Sequence, residues 1–184
     1  MFIMGFFAKL KRDKEDQQWL EGADFTECLE LLFKGAPDED MKRRLFLLQC
    51  SKKTRDVPES QSSVWATLLH YHRIVPLKMD IVASNIAHGV YYLIDEADER
   101  DPYTAKSLFE RLFKKWPEAF HYAMRAAEKE ELERNWVFLA CVHLFGWAED
   151  SDASRVKEYV DKIYALDQIK KYSVYEWLKA QIEK

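Results

Sequence analysis

Chain breakers are scarce in this sequence: glycine and proline number five each among 184 residues. An all-β chain needs many tight turns and the residues that make them, so a mainly β fold is excluded. The glycines, at 5, 22, 35, 89 and 146, are too scattered to form a phosphate-cradling loop. There is no GxSxG turn to lift a nucleophilic serine and no HExxH pair to hold zinc. Cysteine is rare too. Cys28, Cys50 and Cys141 are odd in number, far apart and without a CxxC pair, which argues against a disulfide framework and against a zinc site. Each lies among apolar residues and is expected in the core. A reducing, cytoplasmic compartment fits this usage, and no cofactor is expected.

Long apolar runs are also missing. The longest, 136–147, is broken by His143 and falls well short of the roughly 20 residues that cross a bilayer. Residues 1–8 are apolar, but Lys9, Lys11 and Arg12 follow them rather than precede them, the reverse of a signal peptide. Positive charge is not in excess. The formal net charge is −4, so nonspecific binding to nucleic acid through phosphates is not expected.

What the chain does have is aromatic bulk and helical rhythm. Six Trp, nine Tyr and eleven Phe imply either a thick core or an aromatic binding surface. A helix is predicted over 25–34, with Asp24 as N-cap, Glu27 three residues on, and Phe25, Cys28, Leu29 and Leu32 on one face. Gly35 is its expected stop. Pro37 opens the next helix, with Met41, Leu45 and Leu48 inward. Residues 51–63 hold a single aliphatic residue, Val57, and read as a polar loop. Helices follow over 64–74, with His72 on the face of Trp65 and Leu69, and over 77–97, where Met79, Val82, Ile86, Val90, Leu93 and Ala97 give the strongest periodicity. Gly89 inside that helix is a candidate point of close packing.

Asp101 and Pro102 start a helix whose apolar face is Leu108, Phe109, Leu112, Phe113 and Trp116. Pro117 breaks it, and Phe120, Met124 and Ala127 are expected inward on the next, which ends near Lys129. The 136–145 segment is apolar all round and should be central. A turn over 146–152, a helix carrying Val156, Tyr159, Val160 and Ile163, and a last helix from Ser173 with Val174, Trp177, Leu178 and Ile182 inward complete the chain. The expected fold is one all-α domain over 1–184, a compact irregular bundle of about eight mostly antiparallel helices, with an α-solenoid as the alternative arrangement. No repeat of fixed period supports the latter.

Chemistry-bearing clusters are few. His70 and His72, two apart on a helix, point to nearly opposite faces and cannot share a metal. His72, His88 and His143 are expected as hydrogen-bonded core histidines. Glu118 and His121 form one Glu-x-x-His pair, where a carboxylate-bridged di-iron bundle uses two, so no metal site is assigned. A metal-dependent helical enzyme built on this pair remains an alternative. Asp95, Glu96, Asp98, Glu99 and Asp101, with Arg100 among them, carry as much net negative charge as the whole protein. Calcium-loop order is absent. These residues are a solvated turn or an acidic patch for a basic partner, which Glu149, Asp150 and Asp152 would extend.

The N-terminal segment, 1–23, is the other unusual surface. If helical, it sets Phe2, Ile3, Phe6, Phe7 and Leu10 on one face beside Lys9, Lys11, Arg12 and Lys14. It packs on the core, docks a partner or a second copy, or lies on an anionic membrane through residues 1–12. The function these features favour is a noncatalytic module that binds another, basic protein, in its sharpest form an immunity- or antitoxin-like protein.

Overall fold

The computed structural model describes residues 2–95, 102–166 and 173–183. Among them the regular elements are all helical and no strand occurs. In chain order they are α1 (Phe2–Gly22), α2 (Phe25–Lys34), α3 (Glu39–Cys50), a 3-10 turn (Lys52–Asp56), α4 (Glu59–Tyr71), α5 (Met79–Asp95), α6 (Pro102–Lys115), α7 (Pro117–Lys129), α8 (Glu133–Leu144), α9 (Ala153–Ala165) and α10 (Ser173–Ile182). The count exceeds the expected eight chiefly through α1, whose polar second half carries no apolar stripe to announce it. The chain divides into two compact units, the first formed by Met1–Val57 with Leu69–Pro76 and the second by Pro58–Leu68 with Leu77–Lys184. The division falls inside α4.

In the first unit α1 is joined to α3 by charge. Asp16 is only 4% exposed. Its carboxylate accepts from Arg43 Nε at 2.6 Å and Nη2 at 3.0 Å and from Arg44 Nε at 3.0 Å. The Arg43 bond leads the effects that hold its pKa down at about 2, against burial. Arg44 also lies 6.0 Å from the Trp19 ring. Asp24 and Asp38 cap α2 and α3 by accepting from the amides of Glu27 and Met41. Cys28, Leu29, Leu32, Phe33, Leu45 and Leu48 are buried. Gly35 ends α2 in extended backbone, so no left-handed conformation is required of it. The open carbonyl of Leu32 in the last turn of α2 is satisfied by buried His72, whose Nε2 donates at 2.8 Å. This bears out the expectation of a hydrogen-bonded core histidine.

Two expectations fail in this region. The 51–63 stretch is not a loop: Ser51 caps the 3-10 turn, and α4 starts at Glu59, with the Ser62 amide already donating to the Pro58 carbonyl. The contacts made there are polar. Thr54 bonds the carbonyls of Gln49 and Ser51, and Ser60 is buried. A search for apolar residues passes over such contacts. Cys50, placed in the core by its apolar neighbours, is exposed at the end of α3. The C-terminus of α4 closes with Arg73 N–H on the His70 carbonyl and Ile74 N–H on the Leu69 carbonyl, a Schellman pattern. Arg73 sits at its left-handed position, φ 58°.

The second unit is built on α5 and α8. Residues 137–143 of α8 are all buried, and α8 packs on α5, α7 and α9, the central place its all-round apolarity predicts. Val82, Ile86, Val90 and Leu93 of α5 are buried. Gly89 is a point of close approach: a Cβ there would meet Ser63 Cβ at 2.4 Å and Phe109 Cζ at 2.9 Å. Ala119, Ala123 and Ala127 are the buried stripe of α7, and such small side chains let it lie close to α5. Phe120 and Met124, expected inward with Ala127, are only half-buried. They lie one position, about 100° of helix rotation, away from the alanine stripe. Ile182 of α10, likewise expected inward, is exposed, whereas Val174 and Leu178 are buried.

Candidate functional site

Several half-buried and exposed side chains of the second unit line a groove. On α6, Glu110, Phe113 and Lys114 stand at i, i+3 and i+4 and share a face. The helix stops at Trp116, and Pro117 at the first position of α7 restarts it at a corner. Pro117, Phe120, His121 and Met124, at i, i+3, i+4 and i+7, form the second wall. The third is the turn after α8, residues 146–149. The cavity so enclosed has a volume of about 610 Å³.

Local backbone chemistry fixes the third wall. Gly146 N–H bonds the His143 carbonyl and Trp147 N–H bonds the Val142 carbonyl at 2.9 Å, a second Schellman closure. Gly146 occupies its left-handed position, φ 67°. Ser151 bonds the Ala148 carbonyl at 2.7 Å and receives the Ala148 amide. Trp147 is thereby held against Phe113, with ring centroids 5.3 Å apart and nearly perpendicular, and against Phe145 at 5.0 Å. Phe113 in turn meets Phe120 at 5.1 Å. These are edge-to-face and tilted contacts of the kind aromatic quadrupoles favour.

One carboxylate is built into the same wall. Glu110 Oε1 accepts from the Trp147 indole N–H at 3.2 Å and from the Lys106 ammonium. Burial pushes the Glu110 carboxyl up, but the bonds from Lys106 and Trp147 outweigh it and hold the group below its ordinary value, as an anion. Glu149 stands at the groove's rim, exposed.

The residues singled out in the sequence are distributed unevenly about this groove. Of the acidic turn 149–152, Glu149 lines it. Asp150 lies 3.7 Å from Arg155. Asp152 serves as N-cap of α9, accepting from the Ser154 amide and hydroxyl. Glu96, Asp98, Glu99 and Asp101, and the side chain of Asp95 at the end of α5, lie outside the described residues. The side chains of Phe2, Ile3, Phe6 and Phe7 do so as well. Leu10 is 48% exposed on α1. Glu118 and His121 are both exposed on α7, and His121 lines the groove. Among the described residues no three His, Cys, Asp or Glu side chains converge to hold an ion.

His88, expected in the core, is exposed with its ring tilted against Tyr92. The core stripe of α5 runs through Ile86 and Val90, and residue 88 falls on the opposite side. His143 is buried as expected and stacked on Tyr159, but its Nδ1 finds no hydrogen-bond partner among the described residues. No described helix is long and apolar enough to cross a membrane. Compared with known protein families, characterised proteins and solved structures, the chain matches none.

Sequence reasoning missed the groove because it assigned Phe113, Phe120 and Met124 to the core. The available signal was the placing of Phe113 and Lys114 at i+3 and i+4 from Glu110, together with the Gly146–Trp147 stop. Asp16 was also missed. Its partners are 27 and 28 residues away, and no local pattern joins them.

Proposed function

We propose that this chain is a noncatalytic protein-interaction module that takes a basic segment of another protein into the groove between α6, α7 and the 146–149 turn, in a reducing, cytoplasmic setting. The observation that carries this reading is the groove itself. Apolar and aromatic side chains form a large concave surface with a few placed polar groups, the usual composition of a recognition site. Two carboxylates line it, Glu110, which is paired with Lys106, and Glu149, beside the ammonium of Lys114, and the net charge of the chain is negative. Such a surface speeds encounter with a basic partner and selects against acidic ones. An immunity- or antitoxin-like protein, which covers the basic active surface of a toxin or nuclease, is the sharpest form of the proposal.

The test is fluorescence anisotropy with a labelled amphipathic peptide of alternating leucine and lysine, against a counterpart with glutamate for lysine. The lysine peptide binds, its affinity falls from 50 to 300 mM salt, and Phe120→Asp abolishes binding. Equal binding of both peptides, or full binding to Phe120→Asp, contradicts the reading.

A second reading, a membrane-peripheral protein, is favoured by one feature. α1 carries exposed Lys9, Leu10, Lys11, Arg12 and Lys14. It predicts binding to phosphatidylserine vesicles that disappears when residues 1–12 are removed, and binding that survives this truncation excludes it.

A further inference from the structure

We infer that Glu110 is the residue that selects an arginine side chain of the partner, received with its methylenes on the aromatic floor and its guanidinium at Glu110 Oε2. The inference rests on the groove being the docking surface proposed above. Both internal donors, the Lys106 ammonium and the Trp147 indole N–H, land on Oε1. Oε2 takes no bond from any described residue and is not among the buried atoms. The carboxylate is therefore oriented by two bonds on one oxygen while the other is left open to solvent, in a side chain that lines the groove. Its side chain is 41% exposed. That is a preorganised acceptor: the rotamer is already fixed, so a guanidinium that bonds it loses little further side-chain entropy to the protein.

The neighbours suit arginine better than a small cation. Phe113 and Trp147 flank Glu110, and a planar guanidinium stacks on such rings as well as donating. The remaining ring wall, Phe120 with Met124, supplies apolar surface for the side chain's stem and for an apolar neighbour in the partner's chain. Glu149, exposed at the rim, adds attraction at longer range, where solvent screens it. The two carboxylates thus have separate tasks, contact for Glu110 and steering for Glu149.

The experiment uses the full chain, labelled with nitrogen-15, and two capped pentapeptides. One has arginine between two leucines. The other replaces arginine with citrulline, which has nearly the same shape but no charge. The Trp147 indole resonance, identified by its loss in Trp147→Phe, reports occupancy. The expected result is that both peptides shift it and that the arginine peptide binds at least about tenfold more tightly, as a charge-assisted bond requires. In Glu110→Gln, which keeps an acceptor for Trp147, the two peptides bind alike and the citrulline peptide binds as it does to the wild type. Glu149→Gln keeps most of the preference. If both peptides bind the wild type equally, or the preference survives in Glu110→Gln, the role of Glu110 is overturned while the groove stands. If neither peptide moves the Trp147 signal, the groove reading fails and takes this inference with it.

Discussion

Adding one methyl group at Gly89 tests how the second unit is packed. Glycine inside a helix is about 1 kcal/mol worse than alanine, so at an open position Gly89→Ala would stabilise. Gly89 is not open. The new Cβ would sit 2.4 Å from Ser63 Cβ, 2.7 Å from Ser63 Oγ and 2.9 Å from Phe109 Cζ. Carbon atoms in contact prefer roughly 3.5–4.0 Å, so the first of these overlaps by more than an ångström. The hydroxyl can rotate away, but Ser63 Cβ is fixed to the backbone of α4 and moves only with it. Overpacking of this kind costs about 1–3 kcal/mol, and more when backbone must shift.

Set against the propensity gain, Gly89→Ala is expected to destabilise by about 1–2 kcal/mol. Urea unfolding followed by helical circular dichroism measures this as a lower midpoint, read beside a local probe of the second unit in case the two units unfold separately. Ser63→Gly removes both Ser63 contacts and should recover part of the loss in a double-mutant cycle. Ser63→Ala keeps the Cβ and should recover little. A Gly89→Ala protein as stable as the wild type, or equal rescue by both Ser63 changes, would refute the packing argument.

Three further predictions concern charge and backbone. Asp16→Asn removes the anion between Arg43 and Arg44. A carboxyl held at about 2 rather than 3.8 contributes about 2 kcal/mol. Because its folded pKa is lowered, that contribution is present above pH 4 and lost as pH falls through about 2, so calorimetry of the two proteins should differ at pH 7 and converge near pH 2. Arg73→Gly and Gly146→Ala are a pair of opposite sign. Both positions are left-handed, a conformation that disfavours L side chains by roughly 1–2 kcal/mol, partly offset by the freedom glycine brings to the unfolded chain. The first should stabilise by about 0.5–1 kcal/mol and the second destabilise by about 1 kcal/mol, measured as shifts in urea midpoint.

His143 is held below its ordinary value by burial first and by Arg155, against Asp150, Asp152 and Glu128. The unfolded chain therefore binds a proton that the folded one resists, and stability falls as pH drops below 6.5. His143→Phe should flatten that slope between pH 7 and 5.5, and an unchanged slope places its origin elsewhere.

Helices were legible wherever an apolar stripe or a cap announced them. Asp24 marks a start that the structure keeps, Lys129 marks an end, and the all-round apolarity of 137–143 gives the centre of the second unit, whereas the caps Asp38 and Asp152 read in the sequence as a first-turn residue after Pro37 and as part of an acidic turn. Legibility failed where polar atoms make the contacts. The 51–63 stretch folds through Ser51, Thr54 and Ser60, and α1 is tied down by Asp16, neither of which adds an apolar residue to any count. It failed again where the inward face is made of alanine. Ala119, Ala123 and Ala127 are small enough to let α7 approach α5, but the larger Phe120 and Met124 dominate any reading by hydrophobicity, so they were assigned inward and the groove they line went unseen. Of the candidate site, Glu149 was named from sequence as partner-binding and His121 only as half of a Glu-x-x-His pair. Glu110 was not, because its meaning depends on Trp147, 37 residues away.

The central claim, that the groove between α6, α7 and the 146–149 turn is the binding surface, is tested most directly by hydrogen exchange of the full chain with and without the leucine–lysine peptide. The account predicts added protection confined to segments 110–124 and 145–150. No protection there, or protection centred on α1 or α3 instead, would contradict it.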